Sequence, residues 1–175
     1  MLHVTFDEVI DHPDLQALYR HWRSLAQGEA PPRAAFDPFA IPRVMPNLFL
    51  MDVLPEGAFR YRLVGTAIDA HLGVSFTGRR LEEMRTGKTY DDLVHLFATV
   101  AGERRPGYYA SRLASETSAY ASYRRLVLPL AEPDGSIAVL LGGFCIVWAN
   151  DNLDPMRVTS FANAPETGGT LIFQR

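Results

Sequence analysis

Leu48-Phe49-Leu50-Met51-Asp52-Val53-Leu54 and Phe59-Arg60-Tyr61-Arg62-Leu63-Val64, followed by Gly65-Thr66-Ala67-Ile68-Asp69-Ala70-His71-Leu72-Gly73 and Thr77-Gly78-Arg79-Arg80-Leu81-Glu82-Glu83-Met84, decide the fold. The first two runs read as strands. The five-residue loop Leu54-Pro55-Glu56-Gly57-Ala58 closes them into a hairpin, since Pro and Gly set the dihedrals a tight reversal needs. A string of short helical turns comes next. Such a loop predicts the register Val53 opposite Phe59, Met51 opposite Tyr61 and Phe49 opposite Leu63, which makes one face wholly apolar or aromatic. The other face sets Asp52 across from Arg60 and Leu50 across from Arg62, an exposed opposite-charge pairing. A slip of one residue would place Asp52 against Tyr61 inside, and is rejected because register moves every side chain to the other face.

Downstream, Thr89 reads as a helix cap, with Asp91 and Asp92 in the first turn, Arg104 and Arg105 in the last, and Pro106-Gly107 as the stop. The helix over 90–105 turns Tyr90, Leu93, Val94, Phe97, Val100 and Ala101 inward. Three strands follow, over 108–115, 120–130 and 137–148, the last two joined by the turn Glu132-Pro133-Asp134-Gly135-Ser136. The last is apolar at almost every position, so both of its faces must be covered. Two strands, helices, then three strands is an α+β order: one antiparallel sheet with helices on one face.

Upstream, Leu15, Leu18, Tyr19, Trp22 and Leu25 recur at helical spacing, with Asp11 and Pro13 at the start and Gly28 past the end. This amphipathic helix is expected to cover the sheet's other face. Prolines 31, 32, 38, 42 and 46 mark residues 30–46 as a strap with a short turn near Ile41. The chain divides into helix and strap (1–47), core (48–148) and a polar tail (149–175) whose one strand-like patch is 170–174.

Composition narrows the function. The chain has 175 residues, 47% hydrophobic and 21% charged, with net charge −3, ordinary for one globular domain with a real core. The 17 cations, of which only Lys88 is a lysine, are scattered. No basic stripe tracks a phosphate backbone, so no nucleic-acid partner is expected. No apolar run reaches membrane-spanning length and the first residues do not read as a signal peptide. Together with the lone Cys145, which suits a reducing compartment, this predicts a cytoplasmic protein.

The segments Phe59 through Ile68, Leu72-Gly73 and Thr77-Gly78-Arg79-Arg80-Leu81 resemble a PAS domain, specifically the bacterial family of stand-alone PAS proteins. So do Leu18-Tyr19-Arg20-His21-Trp22-Arg23, Phe36-Asp37-Pro38-Phe39-Ala40-Ile41-Pro42-Arg43 and Arg124-Arg125-Leu126-Val127-Leu128-Pro129-Leu130. The resemblance covers roughly residues 14–147. It implies a five-stranded antiparallel sheet, a ligand pocket between sheet and helices, and a role in signalling; it names no ligand or cofactor, because fold is weak evidence for function. On this reading Phe49, Met51, Tyr61, Leu63, His71 and Phe97 are the candidate ligand contacts, or the aromatics among them simply fill the core.

Sharper chemistries find little support. Some PAS sensors hold haem on a histidine of the long helix, but His95 falls opposite the apolar stripe. His71, in the short helical segment, is the other histidine that could reach a pocket. The Asn-Cys-Arg-Phe run of flavin photosensors is absent, and Cys145 lies in a strand as a small hydrophobe. Asp69 and His71 diverge and have no cluster to complete a metal site. No nucleophile elbow exists, and with Asp52 outward a cone-shaped α+β enzyme would lack its interior base. Gly142-Gly143 marks either a close approach of the backbone to a ligand or, as favoured here, a bulge that bends the last strand. The expectation is a non-enzymatic sensory or adaptor module binding a small apolar or amphipathic molecule and passing the signal to a protein partner. A ligand-free interaction module is the alternative. Dimerisation through the first helix is expected if Leu18, Tyr19 and Trp22 find no cover within one subunit.

Overall fold

The computed structural model describes residues 5–84, 87–113, 121–148 and 166–174. Helices α1 (Phe6–Val9) and α2 (Pro13–Ala26) lead through three 3₁₀ turns to strands β1 (Leu48–Val53) and β2 (Phe59–Val64). Helices α3 (Thr66–Leu72), α4 (Leu81–Met84) and α5 (Gly87–Glu103) come after the hairpin, then β3 (Gly107–Leu113), β4 (Ala121–Leu130), β5 (Val139–Trp148) and β6 (Glu166–Phe173). The strands form one antiparallel sheet in the order β2-β1-β5-β4-β3-β6. This is the expected α+β architecture with a sixth strand, drawn from the tail, added beside β3. Gly87 starts α5 three residues before the expected boundary, so Thr89 lies inside its first turn rather than capping it.

Two cores form, one on each face. Phe49, Met51, Tyr61, Val127, Leu140 and Phe144 meet Ile68, Leu72, Phe76, Leu93, Phe97 and Val100 from α3, α5 and their connections. Opposite, Leu48, Leu126, Leu128, Leu141 and Cys145 meet Leu15, Leu18, Tyr19 and Trp22 of α2. The continuous apolar run of β5 is explained by this double cover. Leu18, Tyr19 and Trp22 are 0%, 1% and 5% exposed, and Trp22 Nε1 donates to the Pro129 carbonyl at 2.9 Å. The condition for dimerisation through this helix is therefore not met: these three side chains are covered within one chain. Its cap also differs from expectation. His12 Nδ1, not Asp11, accepts from the Asp14 amide. Asp11 instead accepts from Arg124 Nε and the Tyr108 hydroxyl, pinning the helix entry to β3 and β4.

Two local readings are corrected. Val53↔Phe59, Asp52↔Arg60 and Met51↔Tyr61 pair as expected, but Leu50 then faces Leu63 and Phe49 faces Val64. A β-bulge has absorbed Arg62 as an extra residue. The pairings Phe49–Leu63 and Leu50–Arg62 are therefore wrong, because a single unpaired residue inverts the parity beyond it. No bulge exists where Gly142-Gly143 suggested one, since β5 holds continuous register with both neighbours. These glycines instead make room. A Cβ on Gly142 would lie 1.9 Å from Phe49 Cζ, and one on Gly143 would lie 2.5 Å from Leu15 Cδ2. The paired glycines let one core ring and the α2 leucines lie directly on the backbone, one on each face.

Candidate functional site

Between the sheet and α3–α5 lies a small hollow lined by Phe49, Tyr61, Val64, Ile68, Leu72, Phe76, Arg125 and Phe144. Alternation along β1 supplies Phe49, and along β4 it supplies Arg125 beside Tyr123 and Val127. Ile68 and Leu72, four residues apart on α3, share one helix face. The aromatic rings interlock edge to face: Phe49 with Tyr61 at 5.9 Å and with Phe97 at 6.3 Å, and Tyr61 with Phe76 at 5.3 Å. About 10 Å³ remains in which a water-sized sphere can be centred, the room of one water molecule.

Arg125 is the charged member of this wall. It is 3% exposed, and its guanidinium carbon lies 4.9 Å from the ring centre of Phe144, 5.5 Å from Tyr123 and 5.7 Å from Tyr109. These are cation–π distances, strengthened by exclusion of water. Nearby, Tyr109 donates to Asp92 Oδ2 at 3.2 Å, and Lys88 holds the same carboxylate from one turn away on α5.

The expected contacts divide. Phe49 and Tyr61 line the hollow; Met51 and Phe97, both 0% exposed, sit deeper in the same core. Leu63 does not reach it: the bulge turns Leu63 outward, 50% exposed, and gives its place to Val64. His71 is exposed on α3, with burial of part of its ring lowering its pKa. His95 is exposed on α5 and packs edge-on against Phe173 of β6 at 5.8 Å. Burial pushes the Cys145 thiol up to about 12, so it packs as a hydrophobe. Sequence reasoning missed Arg125. Arg124 and Arg125 are adjacent, and nothing local says which of the two the sheet turns inward.

A second concave site lies on the opposite face, at the sheet's β2 edge, lined by Asp52, Arg60, Tyr61, Arg62 and Gly78, with about 380 Å³ open to water. Strand alternation places Asp52 on the wet side. It does face that side, yet it is only 5% exposed, because two guanidiniums cover it. Arg60 donates Nε at 3.1 Å and Nη2 at 2.8 Å to Oδ2, and Arg62 donates Nε at 2.5 Å to Oδ1. Burial alone would raise the Asp52 pKa, but the hydrogen bonds from Arg60 and Arg62 outweigh it and hold the carboxyl below its usual range. The bulge at Arg62 makes this convergence of two arginines on one carboxylate reachable.

Among the described residues no three His, Cys, Asp or Glu side chains gather as a metal site, and no helix is long and apolar enough to cross a membrane. No curated protein matches the chain. A family model described as PAS domain matches residues 10–145 of the 175, the span that runs from just before α2 through most of β5. The chain belongs to the PAS domain family.

Proposed function

We propose that this PAS domain is a non-enzymatic interaction module that works through its surface, its inner hollow being packed by its own aromatic side chains. One observation carries the reading: Phe49, Tyr61, Phe76 and Phe144 close around about 10 Å³, whereas small-molecule sites run to roughly 300 Å³ or more. A metabolite could enter only by displacing several interlocked rings. Native mass spectrometry of the freshly purified chain, beside its absorption spectrum, tests this. The expected result is the mass of the bare chain with no band beyond the aromatic one. A retained small molecule overturns it.

A ligand-sensing function has one observation in its favour, the buried Arg125 in the hollow wall. A guanidinium framed by Tyr109, Tyr123 and Phe144 would recognise the acid group of a small aromatic or apolar molecule. If mass spectrometry finds such a guest, Arg125→Met should release it. Occupancy would then bias a pre-existing equilibrium of the core by no more than the ligand's differential affinity.

A further inference from the structure

We propose that the groove beside Asp52 is a docking site for an acidic segment of a partner protein, taking an Asp or Glu carboxylate between Arg60 and Arg62 with an apolar neighbour laid on Leu63. This deepens the interaction-module reading and rests on it. Four observations converge. Two guanidiniums meet one carboxylate at the groove, so the cluster keeps an uncompensated positive charge on a chain whose net charge is −3. Arg62 commits only its Nε to Asp52; among the described residues its two terminal nitrogens find no protein acceptor. Asp52 anchors both side chains, so they are held in place before any partner arrives and less entropy is lost on binding.

The fourth observation is the apolar neighbour. Leu63 pairs across the strands with Leu50, whose side chain packs toward the α2 core. Directly opposed residues share a face, so Leu63 lies on the same face as Arg60 and Asp52. Helix α2 makes its sheet contacts chiefly with β4 and β5. Among the described residues, Leu63 is one of the few large hydrophobic side chains left exposed. The other charges nearby do not fill the groove. Glu56 and Glu82 are both held by Arg80, and Arg79 gives its carbonyl to the Tyr61 amide while its side chain is exposed. A carboxylate beside an apolar side chain is the chemistry that meets a guanidinium pair bordered by leucine.

The test uses the full chain on an array of twelve-residue peptides that combine Asp or Glu with Leu, each spotted beside its Asn or Gln counterpart. Wild type is expected to favour the acidic member of a pair about tenfold at low salt, with the preference shrinking as salt rises. R60Q/R62Q leaves the covered Asp52 carboxylate without its two cations and is expected to melt lower, so it is compared with D52N/R60Q/R62Q, which removes the stranded charge; both, once shown folded by circular dichroism, should lose the preference, while Leu63→Ser weakens acidic and amide peptides alike. Equal binding of acid and amide peptides, or an acid preference that survives in R60Q/R62Q, overturns the proposal. So does free glutarate competing as well as the peptides, which would mark a small-acid site instead. A metabolite found in the hollow would defeat the filled-core reading and leave this groove preference measurable, so the two failures are distinguishable.

Discussion

Gly142→Ala concentrates the packing of the core into one methyl group. Gly142 sits in β5 opposite Phe49 of β1 and Val127 of β4, and an added Cβ would lie 1.9 Å from Phe49 Cζ and 2.3 Å from Cε1 and Cε2. Carbon atoms rest at about 3.5–4.0 Å, so the ring must retreat by about 2 Å. Phe49 is 3% exposed and edged by Tyr61 and Phe97, which leaves it nowhere to go. Overpacking costs about 1–3 kcal/mol, and this contact belongs at the upper end. The loss of glycine's unfolded-state freedom offsets about 0.4–1 kcal/mol only where the native site is unstrained. The expected net destabilisation is about 2–3 kcal/mol, or a fall in Tm of about 5–10 °C for a chain of this size. Urea unfolding followed by tryptophan fluorescence measures it. Phe49→Ala alone should cost about 3–5 kcal/mol. In the double variant the methyl group added at position 142 occupies the vacated ring site, so the combined loss should fall short of the sum by about 2 kcal/mol. A Gly142→Ala variant within about 0.5 kcal/mol of wild type, or a strictly additive pair, refutes the reasoning.

Four further outcomes are expected. Leu63→Ala should change stability by less than about 0.5 kcal/mol and Met51→Ala should cost about 2–5 kcal/mol; equal losses would mean that the bulge at Arg62 is absent. Trp22→Phe removes a buried donor from the Pro129 carbonyl and should cost about 1–3 kcal/mol, and unchanged urea midpoints would show that α2 does not dock as described. His12 and His71 are the pH-sensitive pair. Burial lowers both pKa values, so the unfolded chain binds protons more readily, and stability complete above about pH 6.5 should fall as pH drops through that value. His12→Asn, which keeps a cap acceptor that cannot be protonated, should flatten part of this loss in urea melts at pH 5 and pH 8; a slope identical to wild type would remove His12 from the account. A separate loss at lower pH is expected from Asp11 and Asp52, whose carboxyls are held below their usual range.

Local pattern alone determined the order of elements from α2 to β5, the parity of β1 and the double cover of β5. These features depend on side-chain alternation and helical spacing, which each segment carries within itself. The bulge at Arg62, the inward turn of Arg125 and the purpose of Gly142-Gly143 were decided only when strands met. Arg62 is an extra residue in the β1–β2 register, and the bulge lets both arginines reach Asp52, an arrangement between two strands that neither encodes alone. Arg124 and Arg125 are chemically identical neighbours; Asp11, 113 positions away from Arg124, holds that one on the α2 face and leaves Arg125 to the hollow. Glycine in a strand reads equally as a bend or as room for a neighbour, and the choice belongs to the ring and the leucines that arrive from β1 and α2. The size of the hollow was likewise invisible to pattern. It is what remains after rings from four separate segments have packed, and free volume is a property of the assembled core rather than of any stretch that contributes to it.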